Sequence, residues 1–318
     1  MKVVSVLGGL GSSMFKYAFY LSLKEGEIDN GQFMIDTSFF VARNCPEMYE
    51  LKSVFGIDDP DYLDLFNEEE LKILKSNPKS YPSVAIEKMR STYGDLDYYF
   101  MGKHYFFKKG KKSSPLSYKF RKLLYIENRF GIRHTYDVNS FKDNKNYYFD
   151  EYAHNSDVHF PKDKELLKKV FTFPDFNDQK NIDAKKDMEN SESVAIHVRR
   201  TDHLGDNKVL YKREFYKKAV SYIKEHALQK QKFYIFSDDV EWCKNNKDVL
   251  GLSEEDDVNF VDWNKGVNGY KDMQLMTYCQ HNVVPLSSFS WWGYYLSNRT
   301  DKIVIAPKKI WDDIKIHF

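Results

Sequence analysis

Short apolar runs alternate with longer helical patterns through the second half of this chain of 318 residues. We predict strands at 193–198, 232–236, 258–261, 282–284 and 303–306. The segments between them that are predicted to form helices are 212–227, 240–250, 271–280 and 291–297. A parallel connection needs a crossover segment, which a helix supplies, so strands and helices that alternate at this spacing indicate a parallel sheet. The chain is therefore predicted to be an α/β protein with helices on both faces of the sheet.

The first residues repeat this pattern around a glycine-rich turn. Residues 3–7 predict a strand, and 12–23 predict a helix that Ser12 or Ser13 caps. The turn between them contains Gly8, Gly9 and Gly11, with Ser12 directly after them. The Gly-Gly-x-Gly pattern lacks the full dinucleotide-binding fingerprint, so an NAD site is disfavoured. The glycines instead indicate a backbone that approaches a ligand or a facing domain closely.

Length and composition indicate two domains. With 42% apolar and 16% aromatic residues, the chain has enough apolar side chains for two cores. Residues 1–175 form the predicted first domain, in which 47–130 is mixed and mostly helical by pattern. The polar, charge-rich segment 176–192 is predicted to be a linker to a second domain, 193–318.

The strand predicted at 193–198 delivers charged side chains to its carboxyl end. His197, Arg199, Arg200 and Asp202 lie at or just after that end. Ligands of open α/β sheets bind beyond the carboxyl ends of the strands, and a guanidinium group matches phosphate oxygens in a bidentate way. We interpret Arg199 as a phosphate clamp and Asp202 as an acid/base candidate. The alternative is a surface salt bridge, in which Asp202 only orients the arginines.

A second set of polar groups follows the strand predicted at 282–284. Ser287, Ser288, Phe289 and Ser290 form the predicted turn into the next helix. The main-chain N–H groups and the dipole at a helix N-terminus favour an anion, and the serine hydroxyls add further donors. The adjacent Trp291 and Trp292 are predicted to pack in the core rather than to stack on a ligand.

Five motifs occur in a fixed order along the chain. Val6–Ala18 is similar to GGLGNQMFQYA, and Tyr49–Leu51 and Phe55–Ile57 follow it. His197–Asp202 is similar to HxRRxD, Phe236–Cys243 to FSDDxxWC, and Asp272–Trp292 to DMxLMSxCKHxIIxNSxFSWW. Together these motifs resemble the bacterial α-1,2-fucosyltransferase family (glycosyltransferase family 11), whose donor is GDP-fucose.

The resemblance implies a GT-B-like fold of two facing Rossmann-like domains with parallel sheets. GDP-fucose would lie on the second domain and the glycan acceptor mainly against the first. The donor-binding residues that it implies are His197, Arg199, Arg200, Asp238, Asp272, Ser287, Ser288, Phe289 and Ser290. The candidate catalytic residues are Arg199 and Asp202, and the glycine loop consists of Gly8, Gly9, Gly11 and Ser12. Transfer from GDP-β-L-fucose to O2 of a galactoside as an α-fucoside inverts the anomeric centre, which requires a single displacement.

Two of these residues have a structural alternative. His197 ends a strand, so it serves either the nucleotide or the fold. Asp272 can accept two hydrogen bonds, from N1–H and N2–H₂ of guanine, or simply place a favourable charge in the first turn of a helix. Asp238 follows a strand and is a candidate for the ribose, whereas Asp239 is predicted to be the N-cap of the next helix.

No metal or other cofactor is expected at the diphosphate. Asp95 and Asp97 have the DxD spacing of a metal site, but they are predicted to be a pair on a surface loop. Arg199 and the amides near Ser290 are expected to stabilise the leaving diphosphate in place of a cation, because fixed donors in a water-poor cleft act strongly on developing charge.

Charge and targeting signals indicate the compartment and the partners. The formal net charge of +1 argues against a nucleic-acid binder. No signal peptide or membrane-spanning apolar run is recognised, and three cysteines without metal-ligand spacing predict reduced, buried thiols in a cytoplasmic protein. The basic, aromatic-rich stretch Lys103–Arg133 is either a solvated loop or a peripheral contact with anionic lipid at the inner membrane face. Such a contact suits a lipid-linked acceptor glycan in surface polysaccharide synthesis.

The chain departs from the family motifs where the sugar and the acceptor would meet. Ser12 and Ser13 replace an Asn-Gln pair, and Leu286 replaces an Asn. The phosphate-binding residues are retained, so transfer from a GDP-sugar is expected. The alternative is a GDP-sugar-binding protein with altered sugar specificity or without transfer activity.

Overall fold

The computed structural model describes residues 1–25, 33–100, 103–107, 138–150, 160–200, 214–307 and 314–317. The chain divides into two compact units, Met1–Thr172 and Phe173–Phe318. Each unit contains one sheet with helices packed on it. The predicted α/β class, with two Rossmann-like units, is therefore confirmed.

The first unit is built on a five-stranded sheet. Its strands are β1 (Lys2–Ser5), β2 (Phe33–Asp36), β3 (Leu96–Phe100), β4 (Lys103–Phe107) and β5 (Asn146–Phe149). They lie in the order β2-β1-β5-β3-β4, and all neighbours are parallel except β3 and β4. The helices are α1 (Leu10–Lys24), α2 (Ser38–Ala42), α3 (Glu50–Phe55), α4 (Glu68–Ser76), α5 (Ser83–Tyr93) and α6 (Lys164–Val170).

The antiparallel pair β3–β4 corrects one prediction for the first unit, because the sheet was expected to be parallel throughout. The prediction that 47–130 is mixed and mostly helical agrees with α3, α4 and α5 in the described part of that range. Tyr98 and Phe100, two of the aromatic side chains on β3, are buried in the core, which is the environment in which aromatic residues favour strands. Asp97 also lies on β3 and is only 7% exposed, so the expectation that Asp95 and Asp97 form a surface-loop pair is wrong.

Buried carboxylates hold the carboxyl edge of the first sheet together. Asp36 at the end of β2 accepts hydrogen bonds from the Tyr148 hydroxyl and, at 2.9 Å, from the Ser38 amide. Asp150, directly after β5, accepts from the hydroxyls of Tyr98 at 3.0 Å and Tyr81 at 3.3 Å. Burial raises the pKa of Asp36 to about 6. These bonds compensate part of the cost of removing two carboxyl groups from water.

The second unit is built on a six-stranded parallel sheet. Its strands are β6 (Glu192–Val198), β7 (Gln231–Ser237), β8 (Asp257–Val261), β9 (His281–Val283), β10 (Val304–Ala306) and β11 (Ile316–His317). They lie in the order β11-β10-β9-β6-β7-β8. The helices are α7 (Gln179–Glu189), α8 (Glu214–His226), α9 (Val240–Asn245), α10 (Tyr270–Met276) and α11 (Ser288–Tyr295). The alternation predicted for this part of the chain is therefore confirmed, with shifts of one to four residues at most ends.

The segment predicted as a linker, 176–192, belongs to the second unit instead. It contains α7, and Met188 and Asn181 on that helix are 0% and 1% exposed. Met188 packs in one core cluster with Ala195 on β6. The polar residues that suggested a linker lie on the exposed face of a helix, so composition alone misled the prediction.

Other local predictions have definite outcomes in the described residues. Asp239 caps α9 through the Trp242 amide, as predicted. All three cysteines are free thiols, although Cys45 is only partly buried. No helix in the described ranges is both long and apolar enough to cross a membrane. The stretch Lys103–Arg133 lies almost entirely outside the described residues.

Two helices of the second unit touch at a glycine. A Cβ atom at Gly293 on α11 would lie 2.8 Å from Cβ of Met276 on α10 and 3.2 Å from its Sδ. Trp291 and Trp292 on α11 are 1% and 0% exposed, which confirms that they pack in the core. The small residue therefore permits a close approach of α10 and α11.

Gly293→Ala is expected to destabilise the protein by about 1–3 kcal/mol, because a methyl group would overpack the contact with Met276. Urea unfolding measures the change. The control is Asn298→Ala, an exposed substitution just after the same helix, which should change stability by less than about 0.5 kcal/mol. Equal stability of the Gly293 variant and the parent would contradict the packing argument.

Candidate functional site

The pairing of β6 with β9 brings the two predicted donor-binding segments to one edge of the second sheet. The register joins Val194 to His281 and Ile196 to Val283. Both strands are parallel, so both carboxyl ends point the same way. The segment 197–200 and the turn 285–290 consequently begin side by side.

His197 connects these two segments directly. Its Nδ1 lies 3.1 Å from the Ser290 hydroxyl, and its ring packs against Phe289 with 5.7 Å between ring centroids. The main-chain oxygen of His197 accepts a hydrogen bond of 2.9 Å from the Tyr216 hydroxyl on α8. The side chain is 8% exposed. His197 therefore has a clear structural role, and it holds the serine-rich turn beside the end of β6.

The serine-rich turn forms the N-terminus of α11. Ser287 is the N-cap residue, and its main-chain oxygen accepts from the Trp291 amide at 3.1 Å. The Ser290 hydroxyl lies 3.3 Å from that same oxygen. Ser287 is 2% exposed, yet its Oγ has no hydrogen-bond partner among the described residues. A buried hydroxyl without a partner costs free energy, so a ligand oxygen at this helix N-terminus would satisfy it.

Arg200 is held by contacts with the start of α9. The Arg200 guanidinium carbon lies 3.8 Å from the centre of the Trp242 ring, and Nε lies 3.1 Å from Asp239 Oδ2. This contact is an ion pair without hydrogen-bond alignment, since Nε has no hydrogen-bond partner in the described part of the chain. The Arg200 amide donates to Asp238 Oδ1 at 2.8 Å. Arg200 is thus bound to α9 by protein contacts, and the phosphate-clamp role of Arg199 stays a prediction.

The roles of Asp238 at the ribose and of Asp202 as the base stay predictions. Asp238 is exposed and uses one carboxylate oxygen for the Arg200 amide, so its proposed contact with ribose is untested. Asp202, the predicted base, falls in 201–213, outside the described residues.

Asp272 lies in the first turn of α10 and is half-buried. Its Oδ1 accepts a hydrogen bond of 2.8 Å from Asn264 Nδ2, and Asn264 follows β8. Burial raises the pKa of Asp272 to about 7, although the Asn264 bond and the nearby Lys265 lower it. A carboxyl group that is this poorly solvated can gain much from new donors.

A chain of buried amides supports Asp272, and sequence analysis did not identify it. Asn264 and Asn181 exchange two hydrogen bonds, of 2.9 and 3.0 Å, and Trp263 Nε1 donates to Asn181 Oδ1 at 2.9 Å. Asn181 lies in the segment that was predicted as a linker. The one available signal was Asp178, a typical N-cap residue before a helical pattern.

The glycine loop belongs to the first unit, at the carboxyl end of β1. Gly8 has a φ of +88°, which favours glycine, and a Cβ there would lie 3.0 Å from Cβ of Ser12. The helix begins at Leu10 and its N-cap is Gly9, so the prediction that Ser12 or Ser13 caps it is wrong. Glu50, in the Tyr-Glu-Leu motif, is near the start of this helix: burial raises the pKa of its carboxyl group, and the Leu10 amide lowers it. Sequence analysis did not single out Glu50.

Within the described residues, no three His, Cys, Asp or Glu side chains are grouped as a metal ion requires. Asp97 is buried in β3 and Asp95 is exposed before it, so the two carboxylates face different environments. The expectation that no metal takes part stays a prediction.

Comparison with known proteins identifies relatives. A family model described as Glycosyl transferase family 11 matches residues 105–317. An α-1,2-colitosyltransferase of Escherichia coli is 34% identical over 157 residues, which are 47% of this chain and 51% of the relative. The O-antigen biosynthesis glycosyltransferase WbnK of the same organism is 31% identical over 126 residues, 38% of this chain and 40% of WbnK.

The similarity has limits in extent. The chain spans about half the length, or less, of the curated relatives that it matches. A crystal structure of NodZ α-1,6-fucosyltransferase aligns over 93% of this chain and 91% of that chain, at 15% identity and a TM-score of 0.48. This likeness is too low to support a conclusion about function. The family model covers about two thirds of the chain, and on that ground the chain belongs to Glycosyl transferase family 11.

Proposed function

We propose that this protein is a glycosyltransferase that moves L-fucose from GDP-β-L-fucose to a hydroxyl of a glycan acceptor. The observation that carries the proposal is the contact between His197 and Ser290. It holds the segment that contains Arg199 beside the N-terminus of α11. An arginine in a segment that begins beside a helix N-terminus suits the binding of a diphosphate, and family membership supports the same proposal.

The guanine would bind at Asp272 on the neighbouring helix. The close contact of Gly293 with Met276 joins α10 to α11, so the Asp272 carboxylate and the serine-rich turn belong to one packed assembly. A carboxylate can accept hydrogen bonds from N1–H and N2–H₂ of guanine together, whereas uracil offers no such pair. The raised pKa of Asp272 supports this role, because the buried carboxyl group lacks a full set of donors.

The reaction follows from these roles. The acceptor oxygen forms a bond to the anomeric carbon as the bond from that carbon to GDP breaks, and the configuration inverts. Arg199 and the amides of α11 stabilise the charge that develops on the diphosphate, without a metal. Asp202 is the proposed base that accepts the proton of the acceptor hydroxyl.

The names of the relatives support a galactoside acceptor. We infer that the sugar is added at O2, because one relative is named as an α-1,2-colitosyltransferase and a human relative as a galactoside α-(1,2)-fucosyltransferase. A role in surface polysaccharide synthesis fits the relative that is named for O-antigen biosynthesis. The acceptor would be lipid-linked, and the segment Lys103–Arg133 would contact the inner membrane face from the cytoplasmic side.

The second candidate is a GDP-sugar-binding protein with altered sugar specificity or without transfer. Ser12, Ser13 and Leu286 favour it, since they replace side-chain amides of the family motifs. A relative named as a colitosyltransferase indicates that the sugar varies among similar proteins. Release of GDP from GDP-fucose, measured with and without candidate acceptors, separates the two functions: acceptor-dependent release supports transfer, and binding without release supports the alternative.

Arg199→Lys is expected to lower kcat by about 10²-fold or more, because a point charge cannot replace the bidentate contact with phosphate. The assay is GDP release in the presence of acceptor. Arg299→Lys is the matched control, since Arg299 lies in the same unit and donates to the main-chain oxygen of Glu189. Activity of the Arg199 variant within about tenfold of the parent would exclude the clamp.

Full activity is expected in EDTA, because the proposed stabilisation of the diphosphate uses arginine and main-chain N–H groups. The measurement compares initial rates with and without chelator after dialysis. A loss of turnover that Mn²⁺ or Mg²⁺ restores would show that a metal takes part.

GDP affinity is expected to fall as the pH drops below about 7, by up to tenfold per pH unit, because only ionised Asp272 accepts both guanine donors. Isothermal titration calorimetry at a series of pH values measures this. The terminal phosphate of GDP titrates at roughly pH 6 as well, so Asp272→Asn is the control. Parallel pH profiles for parent and variant would exclude Asp272 as the titrating group.

A further inference from the structure

Asn264 and Asn181 form a reciprocal amide pair beneath Asp272. Asn181 Nδ2 donates to Asn264 Oδ1 at 2.9 Å, and Asn264 Nδ2 donates to Asn181 Oδ1 at 3.0 Å. The second hydrogen of Asn264 Nδ2 reaches Asp272 Oδ1 at 2.8 Å. The two asparagines are 7% and 1% exposed. Buried amides with this many partners have little freedom to rotate.

The direction of the amide pair is set by a group that can only donate. Trp263 Nε1 lies 2.9 Å from Asn181 Oδ1, and an indole nitrogen has no acceptor capacity. Asn181 must therefore turn its oxygen towards Trp263 and its Nδ2 towards Asp178, which is 2.9 Å away. This orientation allows only one arrangement of the Asn264 amide, in which Nδ2 faces Asp272. If that amide were flipped, its oxygen would face two other acceptor oxygens, Asn181 Oδ1 and Asp272 Oδ1.

Asn264, and neither of the two neighbouring lysines, forms the hydrogen bond to Asp272. Lys271 is directed to Asp178, at 2.8 Å, and not to Asp272. Lys265 acts on Asp272 through space and is exposed. Asp272 Oδ2 has no hydrogen-bond partner among the described residues, while Oδ1 is held by Asn264. The carboxylate is thus anchored at one oxygen and open at the other.

We propose that Asn264, oriented by Asn181 and Trp263, is a positioning residue that sets the plane of the Asp272 carboxylate for two-point recognition of guanine. The inference rests on the proposed binding of guanine at Asp272. A carboxylate that is free to rotate would accept one donor well and the second poorly, so Asn264 determines base selectivity without touching the base.

A double-mutant cycle tests whether Asn264 acts through Asp272. The full-length parent, Asn264→Ala, Asp272→Ala and the double variant are titrated with GDP and with IDP, which lacks the exocyclic amine. Asn264→Ala is expected to weaken GDP binding about tenfold and to reduce the preference for GDP over IDP. In the Asp272→Ala background it should have no further effect. Asn268→Ala, an exposed substitution in the same loop, should bind both nucleotides like the parent.

The pH profile is a second readout that a purely structural role would not move. The Asn264 bond lowers the pKa of Asp272, so its loss should shift the midpoint of GDP binding to higher pH. Asn181→Ala keeps the contact of Asn264 with Asp272 but removes the bonds that fix the Asn264 amide. It should therefore reduce the preference for GDP over IDP, by less than Asn264→Ala does. This variant also serves if Asn264→Ala does not fold.

The outcomes separate the two proposals. Additive losses in the double variant, or an unchanged midpoint with unchanged selectivity, would overturn the positioning role and leave guanine recognition intact. Parent-like binding of GDP by Asp272→Ala would instead overturn the placement of guanine itself.

Discussion

Parallel pairing of β6 with β7 and β9 is the constraint on which the second unit depends. It directs three carboxyl ends to one edge, so His197, the Ser237–Asp239 turn and the turn before α11 meet there. The polar groups of that edge are then held by protein contacts, as in the ion pair of Arg200 with Asp239. Polar groups that are held in this way need little further ordering, which would favour affinity and electrostatic stabilisation in the proposed binding of a diphosphate.

The carboxyl groups of the two units differ in how many of their oxygens accept hydrogen bonds from the protein. In the first unit, both carboxylate oxygens of Asp36 and of Asp150 accept hydrogen bonds, although burial still raises the pKa of Asp36 to about 6. Asp272 accepts from Asn264 alone among the described residues, and its pKa is raised to about 7. Partial compensation of this kind is typical of a group that completes its hydrogen bonds with a ligand.

Much of the second unit and less of the first could be predicted from the sequence. Strand and helix periodicity is local, so β6 to β10 and their helices were predicted close to their observed ends. The hairpin β3–β4 was missed because β3 is placed in the sheet by its pairing with β5, which is a long-range contact. Helix α7 was taken for a linker because burial of Met188 and Asn181 is a tertiary property.

The sequence by itself determined the α/β class, the family motifs, and the side chains that end β6 and start α11, because these depend on local pattern and order. Only the tertiary structure decided which groups meet. It joined His197 to Ser290, bound Arg200 to Trp242 and Asp239, and aligned Asn181 and Asn264 under Asp272. Those contacts link residues far apart in the chain, and hydrogen-bond direction and burial, which select them, exist only once the strands have paired.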